Sequence, residues 1–434
     1  MPWCLRLSSL DPDCRSQAIS DRIPQGTLHL LEHLGWSCFD DWWTRWAGVG
    51  GLDLARNQWV IPVSDDWIAF VALPLLSRVE MALKSDQQVV LGISALPGCG
   101  KSTLCSWVKS ASEQLGWPVE HLSLDDYYWP SQQLEDSMRG NPWSVPRALP
   151  GSHDIDELLR SFLRWKDDGR LTAPRFDKSL RDGRGDRNGT SDSNPNVVLL
   201  EGWFLGSTPR PSIETELLDV LSDEELRWRS RSISQLRDYQ SVWSLLDDLW
   251  HLRALQSEQS TQWKQQQLTT LEQRSGVGYN KRDLADFNRM VLAAIPPSWL
   301  HQLEESSVVM DLAESRNVRE VHVMSSQLSA SSSSVKVPAG HGAHCGWPVA
   351  LLKRPAPQGM QASGLRAPTD GMRVPLRQGM PAARPLPLQK WPVGHGSQLS
   401  ADVRLGRRPM VPTGQLNMQP VKSAPGKVPV LSMY

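Results

Sequence analysis

No run of eighteen apolar residues occurs in this 434-residue chain, so no membrane-spanning helix is expected. The opening stretch, MPWCLRLSSLDPDC, lacks a basic segment followed by an apolar one. Asp11 and Asp13 come early, which argues against a signal or transit peptide. Cysteine is sparse. The six thiols, at positions 4, 14, 38, 99, 105 and 345, have neither metal-ligand spacing nor the density of a disulfide framework, and reduced thiols in a cytoplasm are the simplest account. Acid is nearly missing from residues 326–434, where thirteen Lys and Arg face only Asp370 and Asp402. The rest of the chain carries thirty-three Lys and Arg against forty-five Asp and Glu, and a mildly acidic body argues against nucleic-acid binding by that part. The net charge of −1 therefore hides two chemically different segments.

What is present is concentrated in Leu91–Thr103, LGISALPGCGKST. Val89, Val90, Leu91 and Ile93 run into a Gly/Pro-rich turn ending in Gly100-Lys101-Ser102. Leu104, Trp107 and Val108 follow at helical spacing. Strand, glycine-rich turn and helix in this order make a P-loop. Glycines let successive backbone N–H groups converge on one anion, and the new helix adds its unpaired N–H groups and positive dipole end. Leu96, Pro97, Gly98, Cys99, Gly100, Lys101, Ser102 and Thr103 are the expected nucleotide-binding residues. Lys101 would reach the β- and γ-phosphates and Ser102 would hold a Mg²⁺. The first glycine of the pattern is replaced by Ala95, a small residue that metabolite kinases tolerate. Cys99 reads as a small filler within the loop.

Three segments follow from the pattern along the chain. Residues 1–86 show two apolar stripes at helical spacing: Leu28, Leu30, Leu31, Leu34 and Trp36, then Leu73, Leu75, Leu76, Val79, Met81 and Leu83. They read as a helical extension packed on a catalytic core. Residues 87–325 alternate strands (Val89–Ser94, His121–Leu124, Val197–Leu200, Ser307–Leu312) with helices (Ser102–Leu115, Asp154–Asp167, Trp243–Leu255, Thr261–Gln273, Asp283–Ala294). The expected fold is α/β, a three-layer αβα P-loop NTPase with a parallel sheet, whose ligands bind beyond the carboxyl ends of the strands. Residues 326–434 are rich in Pro, Gly, Ser, Gln and Met, with short echoes such as SQLSA at 326–330 and 397–401. This basic tail reads as disordered, the alternatives being an arm for an acidic partner or a non-native extension.

Two acids stand at strand ends. The second strand closes in Ser123-Leu124-Asp125-Asp126-Tyr127-Tyr128, and VVLLEGW at 197–203 ends an apolar strand at Glu201. A kinase needs a carboxylate to orient the acceptor hydroxyl and others to support Mg²⁺, so Lys101, Asp125 and Glu201 are the expected catalytic set. Ser102, Asp125 and Glu201 are the expected metal set. Between the two strands lie Arg139-Gly140-Asn141, Gly151-Ser152-His153-Asp154, Phe176-Asp177-Lys178-Ser179 and Gly183-Arg184-Gly185-Asp186-Arg187. Guanidinium and ammonium groups pair with carboxylate or phosphate, which suits Arg139, Lys178, Arg184 and Arg187 to an anionic acceptor; together with Asp126, the second acid, and His153 they are the expected acceptor-binding residues. Ser152 and Asp154 are also suited to cap the helix that begins near Ile155.

The order GCGKST, SLDDYY, RGN, GSHD, FDKS with GRGDR, and EGWFLG resembles D-glycerate 3-kinase of the plant and cyanobacterial type over about residues 87–315. That family is a branch of the P-loop kinases that includes uridine kinase, pantothenate kinase and phosphoribulokinase. The resemblance implies ATP- and Mg²⁺-dependent phosphorylation of the 3-hydroxyl of D-glycerate to 3-phosphoglycerate, within the photorespiratory glycolate pathway. Two departures stand out. Pro142–Pro150, with Trp143 and Arg147, lengthens the run between RGN and GSHD, and Lys264 after Trp263 replaces a family Arg. The alternative functions are phosphorylation of another small hydroxylated metabolite, or nucleotide binding by a non-catalytic regulator.

Overall fold

The computed structural model describes residues 18–58, 63–85, 87–210, 218–275, 281–301, 303 and 306–324. The expected tail, 326–434, lies outside the described residues. Six strands form one sheet in the order β2-β5-β1-β6-β7-β8: β1 Val89–Ala95, β2 Val119–Ser123, β5 Val197–Gly202, β6 Asp248–Ala254, β7 Val308–Leu312 and β8 Val318–Val323. The first five run parallel, and β8 closes one edge antiparallel to β7. Every residue of β1, β5 and β7 is buried. This is why these strands read as continuous apolar runs and not as alternation: helices cover both faces. A separate two-stranded antiparallel hairpin, β3 Leu171–Asp177 with β4 Asp186–Ser193, stands off the sheet.

The strand and helix expectations around the P-loop match to within a few residues. One is overturned. Trp243–Leu255 is not a helix: a single helical turn ends at Trp243, and Asp248–Ala254 form β6 beside β1. Leu249, Trp250, Leu252 and Ala254 are all buried, and a strand covered on both faces carries no period to distinguish it from a helix. The hairpin, β8 and the helix Asp223–Gln235 also went unforeseen.

Within the first segment the chain forms the helices Thr27–His33, Phe39–Ala47 and Leu73–Leu83, the last entered through a buried π-helical stretch, Ile68–Ala72. Leu30, Leu31 and Leu34 are buried as expected, whereas Leu28 and Met81 face solvent. Trp42 and Trp46 each donate an indole N–H to the one Ser77 hydroxyl at 2.8 Å. Trp107, on the helix that follows the P-loop, donates to the Leu54 carbonyl at 3.0 Å. Among the described residues no helix is long and apolar enough to cross a membrane.

Candidate active site

β1 delivers the loop. Gly98 (φ +91°) and Gly100 (φ +94°) are both left-handed, a conformation that strains an L side chain, and the helix Lys101–Gln114 starts directly at Gly100. Cys99 is buried beneath the loop, and burial pushes its thiol up to about 12, so it serves as packing and not as a nucleophile.

The register of β5 between β1 and β2 sets Glu201 opposite Ile93 on one side and Ser123 on the other. Its carboxylate therefore sits at the mouth of the loop. Ser102 Oγ donates to Glu201 Oε1 at 2.7 Å, and Lys101 Nζ lies 3.4 Å from Oε2. Burial pushes Glu201 up, but Lys101 and then His121 outweigh it and hold the carboxyl below its usual range. Lys101 is held up in turn: burial alone would lower it, while Glu201 and Asp125 more than compensate. Glu201 Oε2 is buried and accepts no hydrogen bond. A hydroxyl and a carboxylate at 2.7 Å, the carboxylate's other oxygen beside the Lys101 ammonium, are oxygen donors of the kind a hard divalent cation takes, so the residues present fit a Mg²⁺.

Across from them stands Asp125, on the turn after β2. Lys178 Nζ, from just past β3, donates to Asp125 Oδ2 at 2.6 Å, and Tyr128 OH donates to Oδ1 at 2.8 Å. Burial favours the neutral acid, yet Lys178, with a smaller contribution from His153, holds the carboxyl well below the usual range. His153 stacks on the Tyr128 ring at 4.5 Å, and its Nδ1 is 2.7 Å from Tyr239 OH. The ring is buried beside Asp125; burial outweighs the attraction of that carboxylate and lowers the imidazole's pKa, which favours the neutral ring. The segment bearing His153 is stitched to the end of β2 by Trp129 N–H to Ser152 O (3.0 Å) and Asp154 N–H to Tyr127 O (2.7 Å). Asp154 caps the next helix by accepting from Glu157 N–H, whereas the Ser152 hydroxyl turns back to Leu149 O.

Of the remaining expected acceptor residues, Asp126 stays beside the cluster and the arginines go elsewhere. Asp126 folds back to accept the Ser123 N–H, and burial pushes it up to about 6. Arg187 donates to the Tyr128 carbonyl at 2.6 Å and lies 3.7 Å from Asp154, which anchors the hairpin to β2. Arg139 pairs with Asp136, and Arg184 lies 3.4 Å from Glu135; both line a separate 560 Å³ groove with Met138, Arg181 and Asp283. None of the loop residues lines that groove. The structure thus brings Lys101, Ser102, Glu201, Asp125, Lys178 and His153 together, with Asp126 near enough to feel Asp125, Glu201 and Lys178, and leaves Arg139, Arg184 and Arg187 outside the cluster.

Two further cations lie near the site. Arg147, from the lengthened run, is fully buried and donates to the Gly183 and Arg184 carbonyls at 2.8 and 2.7 Å. Its signal in the sequence was its place four residues before GSHD. Lys264, on the helix Ser257–Ser275, feels Lys178, Lys101, Asp125 and Arg147.

This fold and this loop define a P-loop nucleotide-binding protein of the α/β class. Over 216 residues the chain is 31% identical to the uncharacterized kinase mug58 of Schizosaccharomyces pombe, covering 46% of this chain and 76% of that protein. It is 28% identical over 221 residues to the chloroplastic D-glycerate 3-kinase of Arabidopsis thaliana, covering 48% of this chain and 46% of that enzyme. The match thus spans about half the length of the plant relative. Among solved structures, a D-glycerate 3-kinase from Cryptococcus neoformans superimposes with a TM-score of 0.45 at 21% identity, covering 58% of this chain and 96% of that one. No family model matches the chain. The chain belongs to the family of small-molecule P-loop kinases that holds the fission-yeast protein and the plant D-glycerate 3-kinase.

Proposed function

We propose that this protein transfers the γ-phosphoryl group of ATP to the 3-hydroxyl of D-glycerate, giving 3-phosphoglycerate. The observation that carries this reading is the Asp125–Lys178 pair, 2.6 Å across, facing the P-loop. It offers a carboxylate for a hydroxyl and, beside it, an ammonium for the acceptor's own carboxylate. Leu96–Thr103 would wrap the phosphates, and Lys101 would neutralise charge at the β/γ bridge. Ser102 and Glu201, with Asp125 beyond them, would hold Mg²⁺, which supplies charge neutralisation on the phosphates. Asp125 orients the acceptor hydroxyl and receives its proton. A carboxyl held this far down is a weak base, but phosphoryl transfer with a loose transition state asks for positioning more than for early proton removal. His153, buried beside Asp125, would meet a second acceptor oxygen.

The same reading assigns residues 87–325 to catalysis and the helices before them to its support. It also places the enzyme in a cytoplasm and in the photorespiratory salvage of glycolate. The test is ADP release by the full chain with Mg²⁺ and ATP across D-glycerate, L-glycerate, glycerol, uridine and pantothenate, with the product identified by NMR. D-Glycerate alone should raise turnover, with phosphate on carbon 3. Stimulation by a different acceptor would reassign the substrate, and turnover that stays flat with every acceptor would favour a nucleotide-binding regulator.

A further inference from the structure

Lys178 belongs to the connection between β3 and β4, residues 178–185, and that connection is folded against its own backbone preference. Arg181 (φ +56°), Asp182 (φ +57°), Gly183 (φ +85°) and Gly185 (φ +80°) are all left-handed, and the first two carry side chains that disfavour this conformation. A turn of this kind keeps one shape when contacts from outside over-determine it. Arg147 supplies such a contact from beneath. One of its Nη atoms donates to both the Gly183 and the Arg184 carbonyls, at 2.8 and 2.7 Å, and the side chain is fully buried. The run that carries Arg147 is itself fixed to the core. Trp203, just after β5, donates its indole N–H to the Ala148 carbonyl at 2.9 Å, and the Asn141 side chain bonds both the carbonyl and the amide of Val145. An apolar side chain would fill the space at lower cost than a buried charge, so packing does not account for a guanidinium here.

Two lines of contact lead from Arg147 to Asp125. The first is the connection itself: holding residues 183 and 184 fixes the far limb of the turn whose near limb presents Lys178, and Lys178 Nζ is 2.6 Å from Asp125 Oδ2. The Gly185 N–H, bonded to the Leu180 carbonyl at 2.8 Å, ties the two limbs together. The second line passes through Phe176. The Arg147 guanidinium lies 5.7 Å from the Phe176 ring. Gly185 presses on the same ring, so closely that a Cβ there would stand 2.2 Å from it. That ring meets Tyr128 edge-on at 5.0 Å, and Tyr128 OH donates to Asp125 Oδ1 at 2.8 Å. Both groups that engage the Asp125 carboxylate are therefore backed by one buried side chain.

We propose that Arg147 is a positioning residue of this site: it clamps the 178–185 connection so that Lys178 stays against Asp125, and it acts on the acceptor through that pair. The assignment rests on the reading above in which Lys178 and Asp125 handle the acceptor. Two measurements on the full chain test it. The first is a double-mutant cycle in kcat/KM for D-glycerate. Arg147→Met should lower that value roughly tenfold with the KM for ATP within about twofold, and in a Lys178→Met background the same change should cost less than about twofold, because the residue it acts through is gone. Arg147→Lys keeps a charged donor for the two carbonyls and should stay within about threefold of wild type. An equal cost of Arg147→Met in both backgrounds would make Arg147 a general support of the fold and overturn the proposal. The second measurement, timed trypsin digestion mapped by mass spectrometry, needs no acceptor. Cuts after Arg181 and Arg184 should come at least about tenfold faster in Arg147→Met, with cuts elsewhere unchanged, since the turn opens locally once its clamp is lost. Unchanged cutting there would overturn the proposal. Arg147→Gln takes the place of the Met variant in both measurements should that variant fail to fold. A wild-type chain inactive with D-glycerate would sink the acceptor reading, and the digestion would then decide the clamp by itself.

Discussion

Replacing Lys178 by Met removes one charge and keeps most of the packing volume. In the structure that ammonium is bonded to Asp125 at 2.6 Å and is about a third exposed, so it has donors left for a ligand arriving from solvent. If it grips the acceptor carboxylate, the lost contact is a hydrogen bond between charges, worth roughly 1.5–3 kcal/mol. That corresponds to a fall of about 10- to 150-fold in kcat/KM for D-glycerate. The KM for ATP should hardly move, because the P-loop contacts are untouched. The pH profile should change as well. In the wild type Asp125 lies well below its usual range and stays ionised across the working pH. Its native-state pKa is depressed, so the pair's contribution to stability is present above the unfolded carboxyl's pKa and is lost as pH falls through the native one. Without Lys178 the burial that favours the neutral acid is no longer outweighed, and the pKa rises. The variant should therefore lose activity as pH drops from neutrality, over a range where the wild type is flat. Steady-state kinetics from pH 5 to 8 would read both effects. A kcat/KM for D-glycerate within twofold of wild type, with an unchanged acid limb, would refute the reasoning.

Two further expectations concern the scaffold. Ser77→Ala leaves the indole N–H groups of Trp42 and Trp46 without their shared acceptor in a buried site, at about 1–3 kcal/mol for each orphaned donor; urea unfolding should show a loss of at least about 2 kcal/mol, and a loss below about 0.5 would contradict it. Ala148 is held at φ +87°, where an L residue carries roughly 1–2 kcal/mol of strain, more than the chain entropy a glycine adds, so Ala148→Gly should raise the thermal midpoint and a fall would count against the strain.

Much of the site was legible because its parts are local. The P-loop is thirteen consecutive residues with an apolar strand before it and a helix after it, and Asp125 and Glu201 are announced by the strands they terminate. What failed depended on contacts between distant segments. Arg139 and Arg147 both precede GSHD, and nothing in the run of residues tells which is swallowed by the 183–184 turn and which is left outside on Asp136. The bond from the Ser123 backbone to one Asp126 carboxylate oxygen is likewise not announced by the run Asp125-Asp126. The hairpin strand Asp186–Ser193 has no buried residue and no apolar pattern, since it forms against β3 alone and covers no core. Lys264 was visible only as a departure from a family pattern, and only the fold shows its backbone against Gly98.

The indole of Trp67 lies 3.6 Å from where a side chain at Gly100 would begin, and Leu54 receives the hydrogen of Trp107 from the far side of the same helix. The P-loop turn is therefore walled by residues that precede its own strand in the chain. An expression fragment begun at residue 87 would strip that wall, open an oily groove along Trp107 and leave an indole hydrogen with no acceptor. Such a fragment should come out of the cell as inclusion bodies, even though it would contain every residue of the candidate site.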